Sequence, residues 1–179
     1  MTTLPSIHEL NQANEETFLE TVNTLFETAP PLAQRLLAAR PFPSYTDLIE
    51  YAEKICLGSD LTEQEKITVI NAHPRIGETK ANLSASSLRE QGYHPDQVSL
   101  SLEDQQVNQT LERLNKEYEA KYGFKFIVFV AGRPRSQIIP IIRKRIDNSE
   151  VEKEMQTALT DMMLIARDRL KKAKEGSKI

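Results

Sequence analysis

The sequence has 179 residues, 39% hydrophobic and 27% charged, which is the length and composition of one ordinary globular domain. Its 23 basic and 26 acidic residues argue against a nucleic-acid partner, and its longest apolar run, 126–131, is too short to span a membrane. A single cysteine excludes an internal disulfide, and the first residues lack the profile of a secretion signal. We therefore expect a soluble intracellular domain over 1–175 and a short tail at 176–179.

Apolar residues recur every three or four positions over most of the chain, which predicts a succession of helices. Side chains that cap helices precede the periodic stretches, and these are Asn14, Ser44, Thr62, Ser101 and Ser149. Thr62 with Glu65 forms a reciprocal T-x-x-E capping box, and Ser149 with Glu152 is interpreted in the same way. The pattern predicts an all-α, single-domain bundle of about seven to nine helices.

Two segments complicate this pattern. Residues 124–130 are rich in β-branched and aromatic residues, but a lone strand has no partner, so we expect a buried extended segment or the start of a helix. Residues 136–145 are expected to be helical despite Pro140, which a helix tolerates in its first turn.

The sequence carries no signature of metal, nucleotide or thiol chemistry. The six glycines are too scattered to form a phosphate-binding loop. His8, His73 and His94 fit no metal-ligand spacing. Cys56 lies on the apolar face of its helix without a neighbouring base, which favours core packing over a role as nucleophile.

The segments that could carry chemistry are H-P-R-I-G-E at 73–78 and S-x-x-E-Q at 87–91. His73 follows the C-terminus of a helix, whose partial negative charge favours an imidazolium. Glu90 is expected in the first turn of a new helix, where the dipole favours a carboxylate. If the two side chains meet, they form an acid/base pair that works near neutral pH. A helix stop and a capping box would use the same residues, so the spacing leaves both interpretations open.

Basic side chains are concentrated in the second half of the chain. Arg133, Arg135 and the cluster 143–145 could bind an anionic substrate or form a solvated face. In the last helix, Arg169 lies closer to the apolar stripe than Arg167, so we expect Arg169 to lean toward the edge of a site.

In combination these segments resemble the 2-oxo-4-hydroxy-4-carboxy-5-ureidoimidazoline (OHCU) decarboxylases of urate degradation. The similarity covers nearly the whole chain. It is carried by R-P-F at 40–42, H-P-R-I-G-E at 73–78, S-L-R-E-Q at 87–91, Y-G-F-K-F-I-V at 122–128 and I-A-R-D-R-L at 165–170. The order and combination of these motifs are more specific than any one of them.

The resemblance implies an all-α homodimer and a lyase that makes (S)-allantoin and CO2 with neither a cofactor nor a metal. His73 would be the catalytic acid/base and Glu90 its partner. The groups that would surround the substrate are Pro74, Ser87, Leu88, Arg89, Gln91, the main chain of Phe126, Ile127, Val128, Phe129 and Val130, and Arg169.

Two other functions remain open at this point. One is a hydrolase that opens a related ureido-imidazole ring, because a proton donor for hydrolysis has the same sequence signature as one for decarboxylation. The other is a non-catalytic helical interaction module in which His73 and Glu90 only end and cap helices.

The tail Ser177-Lys178-Ile179 differs from the peroxisomal S-K-L address by one residue. Proteins of urate degradation are often peroxisomal. We therefore expect a peroxisomal protein, with the cytoplasm as the alternative compartment.

Overall fold

Nine helices make up the secondary structure of the residues that the computed structural model describes, which are 3–78, 83–93 and 100–176. They are α1 (Ile7–Gln12), α2 (Glu15–Phe26), α3 (Pro30–Ala38), α4 (Tyr45–Leu57), α5 (Glu63–Asn71), α6 (Ala85–Glu90), α7 (Leu102–Tyr122), α8 (Arg135–Asp147) and α9 (Val151–Gly176). No strand occurs in these three ranges. The predicted all-α class is therefore confirmed, whereas His94 and the tail 177–179 lie outside the described residues.

The predicted caps start four of the helices. In each case the side chain accepts a hydrogen bond from the backbone N–H three residues later, and the capping residues are Asn14, Ser44, Thr62 and Ser101. At Thr62 the reciprocal bond is also formed, since Glu65 accepts from the Thr62 N–H at 3.0 Å. Short-range hydrogen bonding therefore sets these helix starts as the sequence predicts.

The predicted start of the last helix was wrong. Helix α9 begins at Val151, and the hydroxyl of Ser149 is buried without a hydrogen-bond partner instead of forming a box with Glu152. The carbonyl of Ser149 accepts a hydrogen bond from the Tyr122 hydroxyl at 3.2 Å. Because an N-cap carbonyl accepts the first bond of its own helix, this contact is consistent with the later start.

The predicted helix over 136–145 is confirmed, but Pro140 does not lie in its first turn. Pro134 occupies the N-cap of α8, so Pro140 is the sixth residue of the helix and lies in its second turn. Its ring nitrogen cannot donate to the carbonyl of Ser136, and α8 therefore lacks one internal hydrogen bond.

Residues 124–130 adopt neither helix nor strand. The side chains of Phe124, Phe126 and Ile127 are almost fully buried, and Phe126 packs edge-on against Tyr118 with ring centroids 5.3 Å apart. Of the two alternatives drawn from the sequence, the buried segment outside a helix is confirmed.

The chain divides into two compact units. The first comprises Met1–His73 with Leu159–Ile179, and the second is Pro74–Ala158. Fully buried side chains of the first unit include Phe18, Phe26, Leu36, Leu48 and Ile49. Those of the second include Leu111, Tyr118, Phe124, Ile138 and Ile142, with relative exposures of at most 2%. Among the described residues, no helix is long and apolar enough to cross a membrane.

Cys56 lies in the core of the first unit, as predicted. It is a free, fully buried thiol on α4. Burial raises the pKa of this thiol to about 12, so at neutral pH it is the unreactive protonated form.

Candidate active site

His73 lies directly after the last turn of α5 and is only 6% exposed. Its Nδ1 is 3.3 Å from the carbonyl oxygen of Phe26. A carbonyl can only accept a hydrogen bond, so Nδ1 carries a hydrogen and donates it. The contact therefore fixes the tautomer of the ring and leaves Nε2 as the nitrogen that can take up or release a proton.

Arg169 of α9 reaches the same end of α2. Its Nη1 donates to the carbonyl of Thr24 at 3.1 Å, and its Nη2 forms an ion pair with Glu27 at 3.0 Å. Both side chains are largely buried, whereas Arg167 pairs with Glu53 in a pair that is more than one third exposed. Arg169 is therefore the inward-facing arginine of the two, as the apolar stripe predicts.

The last turn of α2 thus brings together two predicted site residues of the first unit, His73 and Arg169. Helix α2 ends because Glu27 adopts a left-handed backbone conformation, with φ of 46°. Sequence reasoning treated this stretch only as a helix end before Pro30 and did not single out Glu27. A glutamate at a position where a helix stops is no signal on its own, because the contact to Arg169 spans 142 residues.

In the second unit, the Gln91 side chain holds the segment that follows Pro74. Its Oε1 accepts from the Gly77 N–H at 2.8 Å, and its Nε2 donates to the Arg75 carbonyl at 3.1 Å. On the other side, Asn115 of α7 donates to the Ile76 carbonyl at 2.9 Å. The amide of Gln91 is therefore engaged in positioning this segment, and its contact with substrate stays a prediction.

The glycine of H-P-R-I-G-E is required by the same packing. Gly77 has φ of +77°, a conformation that other residues rarely adopt, and an added Cβ would lie 3.1 Å from the Cβ of Leu111. Two residues earlier, Arg75 forms an ion pair with Glu119 at 2.8 Å, and this pairing raises the pKa of Arg75 above its usual value. The segment is therefore held from α7 as well as by Gln91.

The predicted position of Glu90 was wrong. The cap of α6 is Ser84, whose hydroxyl accepts from the Ser87 N–H at 3.1 Å, so the helix begins three residues earlier than the S-x-x-E spacing suggests. Glu90 is consequently the last residue of α6, at the end where the helix dipole is negative. The dipole argument for a carboxylate there no longer holds.

The other residues predicted from S-L-R-E-Q differ in burial. Ser87 is buried on α6, Leu88 is half-buried and Arg89 is exposed. His73 belongs to the first unit and these residues to the second, so the pairing of His73 with Glu90 stays a prediction.

Two arginines hold the main chain of 126–130. Arg145 donates to the Ile127 carbonyl at 3.0 Å, and Arg133 donates to the carbonyls of Phe129 and Val130 at 2.6 and 2.8 Å. The side chains of Phe126 and Ile127 are buried, and Val128 and Phe129 are half-buried. The side chains of Phe126 and Ile127 therefore belong to the core, and contact of the main chain of 126–130 with a substrate stays a prediction.

The basic region contains one of the two kinds of side chain considered from the sequence, the solvated face, and a third kind that was not considered. Arg143 and Lys144 are exposed and form a solvated face. Arg135 is buried, donates to the Gln91 carbonyl at 2.6 Å and stacks on the Tyr93 ring at 4.0 Å. Its role is to hold the chain that leaves α6, which the sequence does not indicate.

Within the described ranges, no three His, Cys, Asp or Glu side chains come together as a metal site requires. In the first unit, the buried imidazole of His73 and the buried guanidinium of Arg169 both contact the last turn of α2. An imidazole can transfer a proton and a guanidinium can bind an anion, so this all-α protein carries side chains suited to both.

Comparison with known proteins agrees with this description. The family model described as OHCU decarboxylase matches residues 11–171, and the chain belongs to this family. The uric acid degradation bifunctional protein of Bacillus subtilis is 34% identical over 92% of this chain, which spans about a third (32%) of that protein. The 2-oxo-4-hydroxy-4-carboxy-5-ureidoimidazoline decarboxylase of Halalkalicoccus jeotgali is 31% identical over 92% of this chain and 89% of its own length.

A solved structure supports the fold. A crystal structure of OHCU decarboxylase in the presence of (S)-allantoin covers 93% of this chain and 100% of its own, with a TM-score of 0.64. The identity is 20%, so this likeness bears on the arrangement of helices and not on individual side chains.

Proposed function

We propose that the protein decarboxylates OHCU to (S)-allantoin and CO2 without a cofactor. The family membership over residues 11–171 supports this reaction. The structural observation that carries the proposal is the hydrogen bond of the buried His73 to the Phe26 carbonyl, since it leaves Nε2 to handle a proton.

The substrate can supply its own electron sink. Loss of CO2 leaves an electron pair that most decarboxylases delocalise into a cofactor. In OHCU the carbon that loses CO2 adjoins a C=N bond of the ring, so the electron pair of the breaking bond can move into that π system. The protein then needs to orient the carboxylate, stabilise developing charge and deliver a proton to one face of the ring.

The roles of the residues follow from this chemistry. His73 is the acid/base that returns a proton to the carbon skeleton on one face, which gives a single enantiomer of allantoin. Glu90 is its partner, and Arg169 binds the anionic substrate through its guanidinium. Ser87 and the main chain of 126–130 complete the surroundings of the ring.

The decisive experiment follows freshly oxidised urate by NMR and circular dichroism, with and without the protein, and measures released CO2. We expect rapid formation of one allantoin enantiomer together with one equivalent of CO2. Ring opening without CO2 would instead establish the hydrolase, and a protein without effect on the substrate would refute both enzymes.

Substitution of the two catalytic candidates tests their roles. We expect His73→Asn and Glu90→Gln to abolish enzymatic turnover while the helical circular dichroism is retained. His8→Asn is the matched control, because His8 is an exposed histidine of the first unit. Full activity of either site variant in a prompt assay would contradict the proposed mechanism.

We also propose that the protein is a homodimer and is peroxisomal. The dimer is checked by light scattering during gel filtration, where the mass of a single chain would refute it.

The targeting address is checked by a fluorescent fusion with and without Ser177-Lys178-Ile179. An unchanged distribution after deletion would refute the address.

A further inference from the structure

The ion pair between Arg169 and Glu27 differs from the second ion pair that joins α9 to another helix of the first unit, between Arg167 and Glu53. Its Nη2–Oε2 distance is 3.0 Å, and the two side chains are 6% and 12% exposed. The pair between Arg167 and Glu53 has a similar distance, 2.8 Å, but exposures of 38% and 35%. Only the first pair is sheltered from screening by solvent and salt.

The surroundings of Arg169 fix the plane of its guanidinium. Nη1 donates to the Thr24 carbonyl and Nη2 to the Glu27 carboxylate, so the two terminal nitrogens of the rigid, planar group bind different acceptors. A carboxylate is the stronger of the two acceptors, because hydrogen bonds between charged groups are shorter and stronger than those to a neutral carbonyl. Glu27 therefore supplies the strongest of the three contacts that Arg169 makes with the Glu27 carboxylate and the carbonyls of Thr24 and Leu25.

The backbone of Glu27 is strained in a way that its side chain explains. At φ of 46° the residue lies in the left-handed region, which costs roughly 1 kcal/mol for an L-residue with a side chain. Glycine or asparagine is the common choice where a helix ends in this conformation. A glutamate here places a carboxylate beside Arg169, which a glycine could not do.

We propose that Glu27 is a positioning residue of the active site: it holds Arg169 in the direction in which the guanidinium meets the anionic substrate. The inference rests on the proposed function, since it assigns Glu27 a part in binding that substrate. Glu27 acts through Arg169 and does not itself touch the reacting atoms. His73 is anchored separately, by the main-chain carbonyl of Phe26, and that anchor does not depend on the Glu27 side chain.

Because Arg169 and His73 are anchored by different groups, we expect KM and kcat to respond differently to substitution of Glu27. In Glu27→Gln the guanidinium loses its charged partner, so we expect KM for OHCU to rise about tenfold, equivalent to roughly 1.4 kcal/mol. The anchor of His73 is unchanged, so kcat stays within about twofold of the wild-type value, as expected for a loss of substrate binding alone. A purely structural defect would instead lower the amount of active protein, and hence kcat.

Two further variants sharpen the test. Glu27→Gly removes the carboxylate but relieves the backbone strain, so we expect the same rise in KM in a protein that folds at least as well as Glu27→Gln. Glu53→Gln breaks the exposed pair of Arg167 and serves as the matched control, with both constants as in the wild type. Thermal melts of all variants confirm folding.

A double-mutant cycle separates action through Arg169 from independent action. Arg169→Gln alone raises KM, and adding Glu27→Gln to it is expected to change KM by less than about twofold. Effects that multiply would overturn the inference, as would a wild-type KM in Glu27→Gln or Glu27→Gly. If the wild-type protein does not decarboxylate OHCU, the proposed function fails and the inference with it. Wild-type turnover with an unchanged KM in the variants overturns the inference alone.

Discussion

The buried triad of Tyr118, Glu154 and Arg145 allows a stability prediction with an internal standard. The Tyr118 hydroxyl donates to Glu154 Oε1 at 2.7 Å, and Arg145 Nε donates to the same oxygen at 2.6 Å. The ion-paired side chains are 13% exposed for Arg145 and 3% for Glu154. Glu154→Gln removes the negative charge and keeps the shape of the side chain.

The size of the effect follows from what the substitution leaves behind. Arg145 remains charged and buried after its carboxylate is gone, and loss of one partner from a buried pair costs about 3–5 kcal/mol. The amide oxygen of the introduced glutamine can still accept a hydrogen bond, so we expect about 3 kcal/mol, the lower end of that range. The pair of Arg113 and Glu117 on α7 is 61% and 51% exposed with a distance of 3.8 Å, so Glu117→Gln should cost less than about 0.5 kcal/mol.

Urea denaturation followed by circular dichroism measures both variants against the wild type. The expected result is a clearly lower midpoint for Glu154→Gln and an unchanged one for Glu117→Gln, with similar slopes. Equal midpoints for the two variants, or a cost below about 1 kcal/mol for Glu154→Gln, would refute the reasoning that burial sets the strength of this pair.

Two further predictions concern α8 and the buried thiol. Pro140→Ala restores a donor for the Ser136 carbonyl on an exposed part of α8, so we expect stabilisation by about 1–2 kcal/mol in a thermal melt, whereas a lower midpoint would contradict it. Burial raises the pKa of Cys56 from 9.0 to about 12, so Ellman's reagent at pH 8 should label the thiol only after unfolding. The unfolded thiol loses its proton first as pH rises, so stability is full below pH 9 and falls between pH 9 and 12. Burial also raises the pKa of Tyr45 to about 12, so Tyr45 likewise lowers the stability of the fold at alkaline pH. A urea midpoint at pH 10 equal to that at pH 8 would contradict this loss of stability.

The capping-box spacing predicted one helix start correctly and one wrongly. Ser59 and Asp60 precede Thr62, but Thr62 has the glutamate three residues later, and both bonds of that box are formed. In front of α6, by contrast, Ser84 and Ser87 both offer a hydroxyl at suitable spacing. The choice between them depends on how the chain enters the helix. With Ser87 as the cap, Glu90 would lie in the first turn; with Ser84 as the cap, it lies in the last turn.

Contacts between distant segments were not predictable from periodicity. The partner of Arg135 is the Gln91 carbonyl 44 residues earlier, and the partner of Arg169 is Glu27, 142 residues earlier. A run of basic residues looks the same in the sequence whether its members are solvated or buried, because burial is decided by packing. The family resemblance identified Arg169 as a site residue, but it did not identify Glu27 as its ion-pair partner.

The predicted site segments 73–78 and 126–130 lie after the end of a helix or outside helices, whereas Ser87 and Arg169 lie on α6 and α9. Buried carbonyl and amide groups need partners wherever the backbone ladder stops. In this chain long side chains supply those partners. Arg169 donates to the Thr24 carbonyl, Gln91 accepts from the Gly77 N–H, and Arg145 donates to the Ile127 carbonyl. The groups that would face the substrate are therefore held by residues far away in the sequence. Substitution of these holders should weaken substrate binding before it unfolds the chain, which is why the kinetic split at Glu27 tests the arrangement more directly than stability does.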